Sequence, residues 1–553
     1  MYRFSPWVVL VALVVATWTH DVLAAKKTVC TITVNSADEK DLLQRRLPSD
    51  QYRFVELVER GRPDWLARAC RQGVRCDVLV VSGHFDGGTD FYSDRLDVRE
   101  SLSVDEMEKA SCSQSCPGVF AQLKEVYLFG CNTLNGDAMR STSAAVGRSL
   151  LRAGHAPAEV AELERALNAR YGESNRDRMR QIFKDVPLIY GFSSKAPLGP
   201  SAANVLERYF QAGGSVDFGS GRPSAKLLSL FAPVSMTATA GMTDADPNIA
   251  FRRDVCRLED QRVTAAGKVD FVHDVLGRDM AEVRMFLDHL EKYAASLDSA
   301  ARRAPDVAQA LHAIETDHSA RRRYLEFARD ADEPAIRTRM MDLALKFGWL
   351  SEGQLRNELA HMIADQLAHR HIGPDDVDLA CALNEAHALD AELKALDAAG
   401  AYAERMPQAA MLACLGSTRD RAAVLHALSN GNQDDLRIAQ VYLGHRPIAD
   451  VGEFRDVANA VLRMDGSDAQ ARALDTLARQ PLADRETMTA LVSLFARSRS
   501  VTVQRAVAGL LLRGDYRGIA SAELVRGLRE SRVKSPDGPD IVDVLLRRLQ
   551  ASG

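Results

Sequence analysis

Between residues 26 and 231 the chain repeats one pattern, a short and almost wholly apolar run followed by a helical stretch. The apolar runs fall at 28–34, 52–58, 76–82, 125–129 and 187–192. Several are continuously apolar, which is how strands covered on both faces read. Helical candidates lie between them at 38–47, 63–71, 138–153 and 202–212. Strand alternating with helix predicts a parallel sheet sandwiched by helices. Such sheets carry their functional residues on loops at the carboxyl ends of the strands.

The third run ends Val80-Val81-Ser82-Gly83-His84-Phe85-Asp86-Gly87-Gly88, and the fourth ends Tyr127-Leu128-Phe129-Gly130-Cys131-Asn132-Thr133. A histidine and a cysteine thus each follow a buried strand. If those strands are neighbours, about 4.8 Å apart, the two side chains can meet over the edge of the sheet. A thiolate beside an imidazole is the arrangement that nucleophilic catalysis needs. Backbone N–H groups at the strand-to-loop turns can hold a developing oxyanion. Gly83 and Gly130 permit the close backbone approach that such turns require.

On these residues the region 26–231 resembles the caspase-like cysteine peptidases, a superfamily that includes caspases, gingipains, separases and the bacterial CHAT proteins. The Tyr-Leu-Phe-Gly-Cys131 block is most similar to the separase and CHAT style. The resemblance implies a caspase-type α/β sandwich with a mainly parallel six-stranded sheet, with His84 as catalytic acid or base and Cys131 as nucleophile. Gly83, Phe85, Gly130 and Asp86 would then line the substrate or oxyanion site. The family places glycine after the histidine, where this chain has Phe85. A positive φ there would be costly for phenylalanine.

The loop after His84 is acidic, with Asp86, Asp90, Asp94 and Asp97. Close carboxylates can take Ca²⁺, but the spacing is not that of an EF-hand, and a solvated loop is the simpler reading. No cofactor is otherwise expected. By charge alone the same loop favours a basic substrate side chain. His361, Asp365 and His369 share a helix face and read as a polar stripe rather than as metal ligands. The segment 191–201 sits at the functional edge of the sheet and is a candidate for substrate contact, with Ser201 as a candidate N-cap for the following helix.

From about Asp246 onward strand-like runs give way to helical segments rich in Ala, Leu, Arg and Asp. Residues 439–447 match 473–481 at an offset of 34, and 506–510 continue the series at 33. A helix-pair repeat of this length reads as an α-solenoid, HEAT-like in style because the tetratricopeptide signature is absent. The domains expected are therefore a caspase-like unit over 26–235 and a helical repeat unit over 246–553.

Ahead of both stands Met1-Tyr2-Arg3, an uncharged run of 12 apolar residues from Trp7 to Trp18, and small residues at Ala24 and Ala25. These are the three parts of a secretory signal, so 1–25 is expected to be removed and the protein exported, to the periplasm or beyond. Disulfides persist there. The chain has 9 cysteines, so eight can pair and Cys131 is the expected free thiol. Cys381 and Cys414, one repeat apart, are a candidate bridge. Cys112 can close a small loop to Cys116, or either can pair with Cys70 or Cys76. A net charge of −5 gives no basic footprint for nucleic acid. The function expected is an exported cysteine endopeptidase whose repeats bind a protein substrate or partner. The alternatives are a non-catalytic interaction scaffold and another thiol enzyme such as an acyl transferase.

Overall fold

A computed structural model describes residues 26–85, 88–93, 100–137 and 174–552, except 332, 369–371, 396–404, 431, 466–467, 481–483, 515 and 535–539, together with a few positions between 138 and 173. The expected signal segment and most of the helix expected at 138–153 fall outside these. The chain divides into two compact units, one ending at His312 and one beginning at Ala313.

The first unit is built on a six-stranded sheet in the order β2-β1-β3-β6-β7-β8. Its strands are β1 (Lys27–Thr33), β2 (Tyr52–Glu56), β3 (Val78–Ser82), β6 (Glu125–Phe129), β7 (Leu188–Phe192) and β8 (Met236–Thr239). The first five are mutually parallel, and β8 closes the edge antiparallel to β7. A separate hairpin, β4 (Asp90–Tyr92) with β5 (Ser101–Ser103), follows β3. Every residue of β3, β6 and β7 is buried, as both-face apolar runs require. The hairpin and β8 escape sequence reading because they are three or four residues long, too short to show a period.

Alternate residues of each strand feed two cores. Leu79, Val81, Leu128 and Ile189 pack against α2 (Trp65–Arg71), α3 (Val104–Ser113) and, beyond the short α4 (Pro117–Phe120), α5 (Asn175–Ile182). Val78, Val80, Tyr127 and Tyr190 pack on the opposite side against α1 (Asp38–Arg46), α6 (Gly199–Gln211) and α7 (Ala225–Phe231). Helix α6 begins at Gly199, with Leu198 at its N-cap, and places Ser201 inside its first turn rather than at the cap. Pro200 explains the earlier start, since its fixed φ and missing N–H suit the first turn of a helix.

Helix character after Asp246 begins inside this first unit. Helix α8 (Ile249–Glu259) packs on α3 and is tied to it by the disulfide Cys112–Cys256. Cys30–Cys76 and Cys70–Cys116 staple the sheet side of the same unit, and Cys381–Cys414 bridges two helices of the second. Four bridges suit an exported protein. Cys112 therefore does not close a loop to Cys116.

The second unit is helical. Asp468–Leu477 packs on Val501–Arg513, which packs on Ile541–Ser552; Val451–Leu462 packs on Arg485–Arg497, which packs on Ala522–Ser531. Alternate helices thus form two rows, as stacked helix pairs do. The repeat reaches individual bonds. Gln470 Nε2 donates to Val461 O (2.9 Å) and Met464 O (3.0 Å), and Gln504 Nε2 donates to Phe495 O (3.0 Å) and Ser498 O (3.2 Å). Each partner is displaced by the same 34 residues, and each buried glutamine closes the carbonyl end of the preceding helix.

Candidate active site

The strand order places β3 directly beside β6, with Ser82 paired to Phe129. His84 and Cys131 each stand two residues beyond that pair, at the carboxyl edge. Both line one cleft, together with Ser36, Glu39, Ala196 and Leu198. Sequence distance has become spatial proximity because the sheet sets two strand ends side by side.

His84 is fixed through its backbone. Its N–H donates to Tyr92 O (3.0 Å) and its carbonyl accepts from Tyr92 N (2.9 Å), so the β4–β5 hairpin holds it in a bridge. The His84 and Tyr92 rings lie 5.4 Å apart. Cys131 opens a tight turn. Asn132 takes φ 59°, which asparagine tolerates. Its N–H donates to Ser194 O (2.7 Å), and its carbonyl accepts from Asn175 Nδ2 (3.1 Å). Thr133 Oγ1 donates to Gly130 O (3.2 Å) and accepts from Phe192 N (3.1 Å). The Ala196 N–H points at the thiol, 3.3 Å from Cys131 Sγ. Cys131 is the one cysteine of nine outside a disulfide.

Phe85 has an ordinary negative φ, so the strain expected of a residue in glycine's place does not arise. Its side chain is a core group, 1 % exposed and 4.6 Å from the Phe91 ring. This packing dictates Gly130, where a Cβ would stand 2.7 Å from Phe85 Cβ. Gly83 donates its N–H to Phe129 O (3.2 Å) and so builds the cleft wall. The N–H groups of Phe85 and Cys131 make no hydrogen bond among the described residues. Asp86, Asp94 and Asp97 lie outside the described residues, and so does any Ca²⁺ set built on them.

Glu39 is the cleft residue that sequence reading missed. It sits in the first turn of α1, 2 % exposed. Burial pushes its carboxyl up to about 7, and neighbouring Asp38 adds to the rise, while its own backbone N–H and the Ser82 hydroxyl hold it down in part. Glu39 Oε2 is buried without a hydrogen-bond partner. The only sequence signal was an acidic residue in a helix first turn, which ordinarily reads as helix-dipole chemistry.

Away from the cleft, Glu108, Glu259 and His289 bring ligand atoms within 4.8 Å of one another. The Lys292 ammonium already stands among those carboxylates, 2.8 Å from Glu259 and 4.0 Å from Glu108. His361 is exposed, Asp365 lies 3.5 Å from Arg337, and His369 falls outside the described residues. No helix among the described residues is long and apolar enough to cross a membrane. The chain matches no protein-family model, no curated protein and no solved structure.

Proposed function

We propose that the first unit is a caspase-like cysteine endopeptidase, with Cys131 as nucleophile and His84 as general acid and base. The observation that carries this is the pairing of Ser82 with Phe129, which sets His84 and the single unbridged cysteine on one cleft. The sheet order, five parallel strands closed by an antiparallel edge, supports the caspase-type reading.

In this mechanism His84 takes the thiol proton as Cys131 Sγ bonds to the peptide carbonyl carbon. The carbonyl oxygen becomes an oxyanion, for which the N–H groups of Phe85 and Cys131 are available donors. The C–N bond then breaks, His84 returns the proton to the leaving amine, and an acyl thioester remains. A water molecule, deprotonated by His84, adds to the thioester. The C–S bond breaks, the peptide acid leaves and the thiol is restored. In the same proposal the 34-residue repeats are HEAT-like and present a surface for a protein substrate or partner. The chain would be exported, to the periplasm or fully secreted, after loss of residues 1–25.

The test uses the full mature chain with a peptidyl acyloxymethyl ketone and a peptide library, beside Cys131→Ala and His84→Ala. Expected are wild-type labelling at Cys131, cleavage of library peptides, and loss of both in each variant. Labelling that survives Cys131→Ala sinks the dyad. Labelling without cleavage of any peptide assigns the chain to the scaffold or acyl-transfer readings instead.

A further inference from the structure

Three observations meet in the Cys131 cleft. Glu39 lines it, a carboxyl 2 % exposed that the Ser82 hydroxyl and its own backbone N–H serve while Oε2 has no hydrogen-bond partner. Among the described residues no lysine or arginine pairs with Glu39 or with Asp38 beside it. Asp38 is nonetheless served, by a 2.5 Å bond from Ser36 Oγ. Among the described residues Glu39 therefore remains a buried cleft carboxyl without a counter-ion. At the mouth of the same cleft Leu198 is 70 % exposed beside Pro197.

A buried carboxyl without a counter-ion is costly unless a cation pairs with it. A fold that keeps one on the same cleft as Cys131, with the apolar Pro197 and Leu198 lining it too, matches a ligand that is apolar along its stem and cationic at its tip. Lysine and arginine side chains have that form. We infer that Glu39 is the specificity-determining residue of the cleft and receives the basic side chain of the substrate residue whose carbonyl Cys131 attacks. Leu198 covers the methylene stem. The raised protonation point of Glu39 fits this role, since an entering cation drives it back to the carboxylate.

The inference rests on the peptidase reading, and the experiment separates the two. Peptide substrates differing only at the residue before the scissile bond would carry lysine, arginine, norleucine or aspartate. The wild-type full chain should prefer lysine or arginine over norleucine by ~100-fold or more in kcat/KM, as polar sites do against analogues lacking the recognised group. In Glu39→Gln that ratio should fall by at least about tenfold, with norleucine turnover falling less than lysine turnover. Equal wild-type turnover of lysine and norleucine substrates overturns the inference and leaves the peptidase standing. A Glu39→Gln variant that slows every substrate alike also overturns it, because a catalytic or structural role moves all of them together. Absence of turnover on all four, with no ketone labelling of Cys131, overturns both. The wild-type comparison stands even if the variant does not fold.

Discussion

Glu39→Gln makes a quantitative test of the buried cleft carboxyl without any substrate. The Glu39 carboxyl rises from 4.5 in the unfolded chain to about 7 in the folded one, and each unit is about 1.4 kcal/mol. The folded state thus holds this proton more tightly than the unfolded state does. Glu39 favours folding fully below pH 4.5, and that contribution is lost as pH rises through about 7. The loss amounts to about 3 kcal/mol. Glutamine keeps the shape and cannot ionise, so Glu39→Gln removes this loss while every other titration stays common to both proteins. Trp65, buried in the first unit, reports the transition once Trp349 of the second is replaced by phenylalanine in a chain lacking residues 1–25. Urea unfolding, with disulfides intact, would be followed by fluorescence at pH 4 and pH 8 in both backgrounds. Relative to its parent, Glu39→Gln should gain about 3 kcal/mol on going from the lower pH to the higher. Parallel stability–pH curves would refute the account of Glu39 as a buried carboxyl without a counter-ion.

Three further outcomes are expected. Gly130→Ala puts a Cβ 2.7 Å from Phe85 Cβ in a packed core, so thermal unfolding should show a loss of about 1–3 kcal/mol, and ketone labelling of Cys131 should slow. Replacing Cys112 and Cys256 together by serine removes the bridge between α3 and α8, and calorimetry of the first unit should show about 2–5 kcal/mol less stability. Gln504→Leu strands the Phe495, Ser498 and Ser531 carbonyls and the Val533 N–H. It should lower the stability of the repeat unit by about 1–3 kcal/mol or more, with Gln470→Leu behaving alike because it holds the same place one repeat earlier.

The sequence by itself determined the five long strands, because short β-like runs recur there between helical stretches and those of the central strands are nearly all apolar, as burial on both faces requires. It also determined that His84 and Cys131 follow two of those strands, that the later chain is helical with a 34-residue recurrence between 439 and 510, and that one cysteine is left over from four pairs. These are local or periodic properties, written in consecutive residues. Tertiary structure alone decided that β3 lies against β6 in register, that Cys70 reaches Cys116 and Cys112 reaches Cys256, and that Phe85 is a core residue rather than a strained one. It alone placed Glu39 on the same cleft as Cys131. Each of these joins residues from separate elements, and the juxtaposition follows from how whole layers pack, which no window of neighbouring residues records. A buried carboxylate at a helix start looks the same in sequence as an exposed one; only the strand order and the helix laid across it decide which it is.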